Sequence, residues 1–279
     1  MDRKLEIYCP GKAFPAVSVT GRRCALNCDH CRGYFLRNML PVDGIAIREA
    51  LPANVVGVMI SGGCDTGGRL ELSSRIEEIR DLSQQGLRVA VHSVLPTKKD
   101  CLMLADAGVE VICVDLHSDP AVIRSVMHLD LSEEDYALSL SALISSGIRV
   151  FPHITVGLSR SDWEGSLRLA ADAGIKELAI LGLMSAPATP MEGKEAEESE
   201  MLDAFRMALA LGMRPTLGCM RPRSLRFLEP KLIDMGVRSI ASPSRQALRH
   251  AAKRGLAICE RRTCCCIRHT TPFGGSRSA

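Results

Sequence analysis

Cys24, Cys28 and Cys31 carry the most readable chemistry of this chain, in the run Cys24-Ala25-Leu26-Asn27-Cys28-Asp29-His30-Cys31. The CxxxCxxC spacing brings three thiolates to one short loop. Three thiolates can hold three irons of a [4Fe–4S] cluster and leave the fourth open, whereas iron–sulfur ligation ordinarily takes four cysteines. Zinc is the alternative, but a closed structural zinc site wants a fourth ligand and usually paired CxxC spacing. His30 offers that ligand, although its place between Cys28 and Cys31 makes convergence on one ion strained.

The loop has to be held by the elements around it, and these read as alternating short apolar runs and amphipathic segments. Expected strands are Ala16–Thr20, Val55–Ile60, Arg88–His92, Val109–Asp115, Val150–Val156, Glu177–Leu183, Arg214–Gly218 and Arg238–Ala241. Their near-continuous apolar character suits parallel strands covered on both faces. Ser74 with Glu77 reads as a capping box ahead of Ile76, Ile79 and Leu82, with Gly86 at the end. Ser132 with Asp135 and Ser161 with Glu164 open two more helices, closed at Gly147 and near Gly174. The alternation predicts an α/β fold, a complete or partial (βα) barrel spanning residues 1–258 as one domain. Residues 259–279 form a cysteine-rich extension, polar, glycine-rich and expected to be disordered after about residue 267.

The spacing and the succession of strands resemble the radical S-adenosylmethionine (radical SAM) superfamily, over roughly residues 16–266. In that family the open iron chelates the amino and carboxylate groups of SAM, and the residue before the third cysteine is usually aromatic, a place His30 fills with a flat ring. The resemblance implies a barrel with its site in the loops after the strands. There Ser61-Gly62-Gly63-Cys64-Asp65 matches the family's glycine-glycine-acid segment that meets the SAM amino group; two glycines alone imply only a tight turn. Cys64 reads either as a ligand or as a buried small hydrophobe. Asp115 is placed to bond ribose hydroxyls, or else to cap a helix near Ser118-Asp119-Pro120. Gly157 falls in the glycine-containing segment beside the adenosine. His153 is either a polar residue facing substrate or a structural histidine.

Pro187-Ala188-Thr189-Pro190 narrows the resemblance to the biotin-synthase-like branch, with Ala188 replacing the usual glycine. Two departures separate the chain from biotin synthase itself: Phe151 or Pro152 stands where that family has an auxiliary-cluster cysteine, and Arg160 where it has a glutamate. The segment Gly218-Cys219-Met220-Arg221-Pro222 and the cysteine-rich end look more like the biotin-synthase homologues of the two-protein lipoyl synthase. Such proteins insert sulfur into a protein-bound octanoyl chain. The resemblance therefore implies SAM cleavage, hydrogen abstraction from an unactivated C–H, and sulfur taken from a second iron–sulfur cluster. It also implies an electron donor such as ferredoxin or flavodoxin, a second radical SAM protein, and a small-molecule or acyl-carrying protein or peptide substrate. Other radical SAM reactions, and a non-catalytic electron-transfer module, are the alternatives.

The remaining cysteines sit at two ends of the sequence. Cys9 precedes the triad, and Cys259, Cys264, Cys265 and Cys266 fall within eight positions near the C-terminus. With Cys219, these are the candidate ligands of an auxiliary cluster; zinc or unligated redox thiols are the other readings. Cys101 and Cys113 lie in apolar patterns and read as core. Arg221 offers a bidentate carboxylate contact or a surface ion pair. The chain of 279 residues, 46% hydrophobic and with formal charge +3, is large enough for a sizeable core. Its balance demands neither nucleic acid nor a membrane. No apolar run approaches the ~20 residues of a membrane span. An opening Met1-Asp2-Arg3-Lys4 without an apolar stretch, and cysteines suited to metal, suggest a reducing cytoplasmic setting.

Overall fold

The computed structural model describes residues 4–269. Expected disorder at 270–279 lies outside the described residues; Arg268 and His269, inside them, bond Glu177 and Thr263. Eleven strands make one all-parallel sheet: β1 (Lys4–Tyr8), β2 (Ala16–Ser18), β3 (Leu40–Pro41), β4 (Gly57–Ser61), β5 (Arg88–Ser93), β6 (Val111–Asp115), β7 (Arg149–Val156), β8 (Glu177–Gly182), β9 (Arg214–Leu217), β10 (Ser239–Ala241) and β11 (Ala257–Arg261). Their spatial order is β11-β1-β10-β9-β8-β7-β6-β5-β4-β2-β3. From β4 to β10 neighbours follow chain order, as in a (βα) barrel. Closure would pair β10 with β2; instead β10 pairs with β1, and β2 carries β3 on its free side. The result is a partial, curled barrel. The eight expected strands correspond to β2 and β4 through β10. β1 and β11, which pair with each other along five residues, and the two-residue β3 were not legible.

Eight helices follow: α1 (Ile47–Ala50), α2 (Ile76–Gln84), α3 (Lys98–Asp106), α4 (Glu133–Ser145), α5 (Arg160–Asp172), α6 (Glu198–Ala210), α7 (Glu229–Met235) and α8 (Arg245–Lys253). They bury the outer face of the sheet. Ile79, Leu82 and Leu104 pack with Val58, Val89 and Val91, and Leu167, Phe205 and Leu232 share a second cluster with Ile154, Ile180 and Leu217. Ser132 caps α4 in a reciprocal box with Asp135, as expected, and Thr97 does the same for α3 with Asp100. The other two expected boxes are absent. A 3-10 turn at Ser73–Arg75 precedes α2, and the hydroxyls of Ser159 and Ser161 go to Asp119 instead of capping α5.

The inner face of the sheet receives residues 264–269. Phe14, Ala90, Val111, Cys113, Phe151 and Ala179 pack there around Cys266 and Ile267. Arg149 holds the carbonyl of Cys266 and Glu177, while Arg88 holds the carbonyl of Arg268 and Glu110. The C-terminal segment is thus a plug tied into the barrel floor, with its cysteines carried inside.

Candidate functional site

The cysteine loop leaves β2 and crosses the carboxyl ends of the neighbouring strands, where (βα) barrels place their chemistry. Asn27 (φ 57°), Arg32 (φ 44°) and Gly33 (φ 72°) turn the chain in the left-handed region, curling it around the sulfurs. Main-chain bonds anchor it on three sides: Ala25 N–H to Cys64, Asp29 N–H to Val126, and Ala186 N–H to the His30 carbonyl, each 2.8–2.9 Å. Gly63 is required by the close approach of this loop. A Cβ there would lie 2.0 Å from the Arg23 carbonyl oxygen and 2.6 Å from Cys24 Cα.

Cys28 is 4% exposed, and Cys24 and Cys31 are half-buried. The Cys28 thiol and the His30 ring both serve Cys31: a hydrogen bond from Cys28 first, then His30, brings the Cys31 thiol down to about 4 against the opposing effect of burial. Cys28 is correspondingly pushed up. A thiolate is the metal-binding form of cysteine, and the lowering at Cys31 favours that form. Ligand atoms of Cys28, His30 and Cys31 lie within 4.8 Å of one another. Burial leaves His30 Nδ1 without a partner.

Below the loop, the inward ends of β4 to β7 present Ser61, His92, Asp115 and His153. His92 Nε2 is 3.3 Å and His153 Nδ1 3.6 Å from Asp115 Oδ1, and the two rings lie 4.9 Å apart. Ser61 Oγ reaches the His92 carbonyl at 3.2 Å. Burial opposes the Asp115 charge, but His92 and His153 hold its carboxyl well below the usual range. Burial also works against the His153 cation, outweighed by Asp115 and Cys113. The expected cap role of Asp115 falls to Asp162, which accepts from Ser118 N and Asp119 N and pairs with buried His117 at 2.9 Å. His92 was missed in the sequence because a lone histidine in an apolar strand carries no spacing signal.

Deeper still, the tail thiols meet the strands. A hydrogen bond from Cys266 brings Cys113 down to about 6 despite burial, with His153 adding to the effect. Cys264 bonds to Cys265 and Cys266 and is held well below the ordinary thiol range. Cys265 feels the charges of Cys264, Cys219 and Cys113. Cys113 is buried as expected, but on the inner face, where it joins the tail rather than only filling core. Cys219 is solvent-accessible and close enough to Cys264 to feel its charge. Cys9 and Cys259 are not brought into this group: they lie along the β1–β11 pair, Cys9 N–H bonding the Arg261 carbonyl and Cys259 in register with Glu6.

Two further residues serve the fold. Arg221, 6% exposed, spends its guanidinium on the Gly218, Ala241 and Ser242 carbonyls and on Glu229 Oε1 at 2.6 Å. This buried commitment corrects both expectations of it, a substrate carboxylate clamp and a surface ion pair. Gly157 has φ 103°, and a Cβ there would meet Ala196 Cα at 2.9 Å, so both the backbone conformation and the close approach require glycine. Ala188 keeps the left-handed φ (58°) of the glycine it replaces; the nearby Met191 N–H reaches the Asp29 carbonyl at 3.3 Å. A groove of about 360 Å³ opens at the opposite end of the barrel between Arg149, Lys176, Glu177 and Arg214.

Among solved structures, methylornithine synthase superposes with a TM-score of 0.65 at 13% identity, over 92% of this chain and 84% of that one. The FeFe-hydrogenase maturase HydG from Carboxydothermus hydrogenoformans gives 0.60 at 15%, over 92% and 68%. The fold is that of the radical SAM partial barrels. SuiB from Streptococcus suis, in a structure bound to S-adenosylmethionine, gives 0.51 at 10% identity over 86% of this chain, which spans half of the SuiB length. No family model and no curated protein matches the sequence. Among the described residues, no helix is long and apolar enough to cross a membrane.

Proposed function

We propose that this chain is a radical SAM enzyme of the cytoplasm. The observation that carries the reading is the placement of Cys24, Cys28 and Cys31 together on a loop over the strand ends of a fold of this kind. The donor set fits a [4Fe–4S] cluster: three cysteines on a curled loop, one of them with its thiol pKa lowered by its neighbours, at buried and half-buried positions. With SAM bound, such a cluster supplies one-electron cleavage to methionine and a 5′-deoxyadenosyl radical that takes hydrogen from an unactivated C–H. The chain's own part is positional. Main-chain anchors to Val126, Cys64 and Ala186 fix the cysteine loop. Asp115, ionised between His92 and His153, would accept hydrogen bonds from ribose hydroxyls, and Ser61 steadies the His92 strand end. His153 stands between Asp115 and the Cys113 thiol, ready to hold a proton between the upper and lower sites.

The finer reading is sulfur insertion into an octanoyl chain. It rests on the resemblance and on the tail thiols Cys264 and Cys266 that pack with Cys113 inside the barrel. Cys113, Cys264 and Cys266 would hold three corners of a second cluster, with Cys219 or Cys265 at the fourth. Ferredoxin or flavodoxin would supply the electron, and a second radical SAM protein would share the two insertions. The test is anaerobic reconstitution followed by reaction with an octanoylated peptide. A product heavier by one sulfur supports insertion. SAM cleavage with unchanged peptide, in a protein holding about eight irons, would move the chain to another radical SAM reaction.

A further inference from the structure

The loop after β4 carries a cysteine directly behind its two glycines, where the resemblance implies an acid. Gly62 and Gly63 are followed by Cys64, and the acid comes one place later, at Asp65. Asp65 is turned to its own loop: Oδ1 accepts from Gly67 N at 2.9 Å and Arg69 N at 2.8 Å, and the residue is exposed. It has no path to the cysteine loop. Cys64 does. Its carbonyl takes the Ala25 N–H at 2.8 Å, and Gly63 lies so close to Cys24 that only glycine fits. The half-buried Cys64 thiol packs with Cys24 and Cys31 against the same apolar cluster. It feels the charges of Cys24 and Cys31, and Cys28 in turn feels Cys64. Cys64 therefore stands against the cysteine loop, beside Cys24, from the strand next to it.

We propose that Cys64 is an exchangeable fourth ligand: its thiolate binds the open iron of the Cys24–Cys28–Cys31 cluster while SAM is absent, and yields that iron when SAM arrives. This rests on the reading of the triad given above. The exchange balances. The Cys64 thiolate leaves iron as the SAM amino and carboxylate groups bind, and it takes up the proton that the α-ammonium must lose to become a ligand. No electron moves in this step. Four thiolates are the ordinary complement of a [4Fe–4S] cluster, so the capped state would protect the cluster from loss of the open iron.

The test compares reconstituted wild type with Cys64→Ala and Cys64→Ser. In the absence of SAM, the reduced Cys64→Ala protein is expected to give a changed electron paramagnetic resonance signal and to lose iron to a chelator faster than wild type. Its SAM dissociation constant should be about tenfold lower, the equivalent of about 1.4 kcal/mol no longer spent on displacing a ligand. Cys64→Ser should fall between. Identical SAM-free spectra and SAM affinities in wild type and Cys64→Ala would overturn the proposal while leaving the radical reading intact. A Cys64→Ala protein that folds but holds no cluster at this loop would also overturn it, because Cys64 would then be a permanent ligand. SAM bound but uncleaved by all three proteins would instead defeat the reading of the triad as a radical centre.

Discussion

Cys101 and Cys113 look alike in sequence and are equally buried, at 0% exposure, yet the structure gives them different neighbours. Cys101 points from α3 into the apolar layer outside the sheet. Cys113 points from β6 into the barrel, against Cys266 and His153. Replacing either by alanine removes one buried sulfur, a loss of about 1 kcal/mol by transfer with some addition for the cavity. The two variants should therefore unfold at similar urea concentrations, both slightly below wild type. Iron should separate them. If wild type reconstitutes with about eight irons, Cys113→Ala should hold about four and Cys101→Ala about eight. The assay is iron and acid-labile sulfide per chain, read beside the unfolding midpoint so that a folding defect cannot imitate ligand loss. Equal iron in the two variants would refute the assignment of Cys113 to the inner site. A fall in iron on Cys259→Ala, which the structure keeps at the barrel edge, would refute the exclusion of that cysteine.

Other substitutions test the supports of the site. Gly63→Ala should displace the cysteine loop, because its Cβ would meet the Arg23 carbonyl at 2.0 Å; loop-bound iron should fall while the tail site keeps its own. Glu229→Ala should strand the Arg221 charge, whose side chain is 4% exposed, and lower unfolding free energy by about 3–5 kcal/mol. Replacing the pair together by apolar residues should recover much of that loss. Glu177 tests the floor of the barrel. Burial raises its pKa, but Arg149 and Arg268 outweigh that and hold it at about 2. Its folded pKa is below the unfolded one, so its stabilising contribution is complete above about pH 4.3 and fades as pH falls toward about 2; the ceiling is about 3 kcal/mol. Urea unfolding of iron-free protein at pH 5 and pH 3 should show a steeper acid loss in wild type than in Glu177→Gln.

Much of the barrel was legible because buried parallel strands write themselves as apolar runs, such as Val111–Val114, and glycine ends helices at positions 86, 147 and 174. The strands outside the barrel order were not. β11 has exposed residues and no apolar pattern, and it is a strand by pairing with β1, which lies between β11 and β10. Ser74 and Ser161 show why capping signals mislead: a 3-10 turn starts α2, and Asp119 draws the Ser159 and Ser161 hydroxyls from α5. The cysteine triad was readable from local spacing. His92, Cys113 and the role of Arg221 were not, because each depends on which face of a strand or loop meets residues far along the chain. An inward cysteine and an outward one have the same one-letter context until the register of the sheet is known.

The most direct measurement of the account is 5′-deoxyadenosine formed from SAM by the reduced, anaerobically reconstituted protein, with Cys28→Ala as the comparison. The account predicts 5′-deoxyadenosine and methionine in equal amounts from wild type and none above background from Cys28→Ala. It further predicts that Cys113→Ala still cleaves SAM, since the inner site is not needed for that step. A wild-type protein that carries the loop cluster and yields no 5′-deoxyadenosine would contradict the central claim and leave an electron-transfer or structural metal protein in its place.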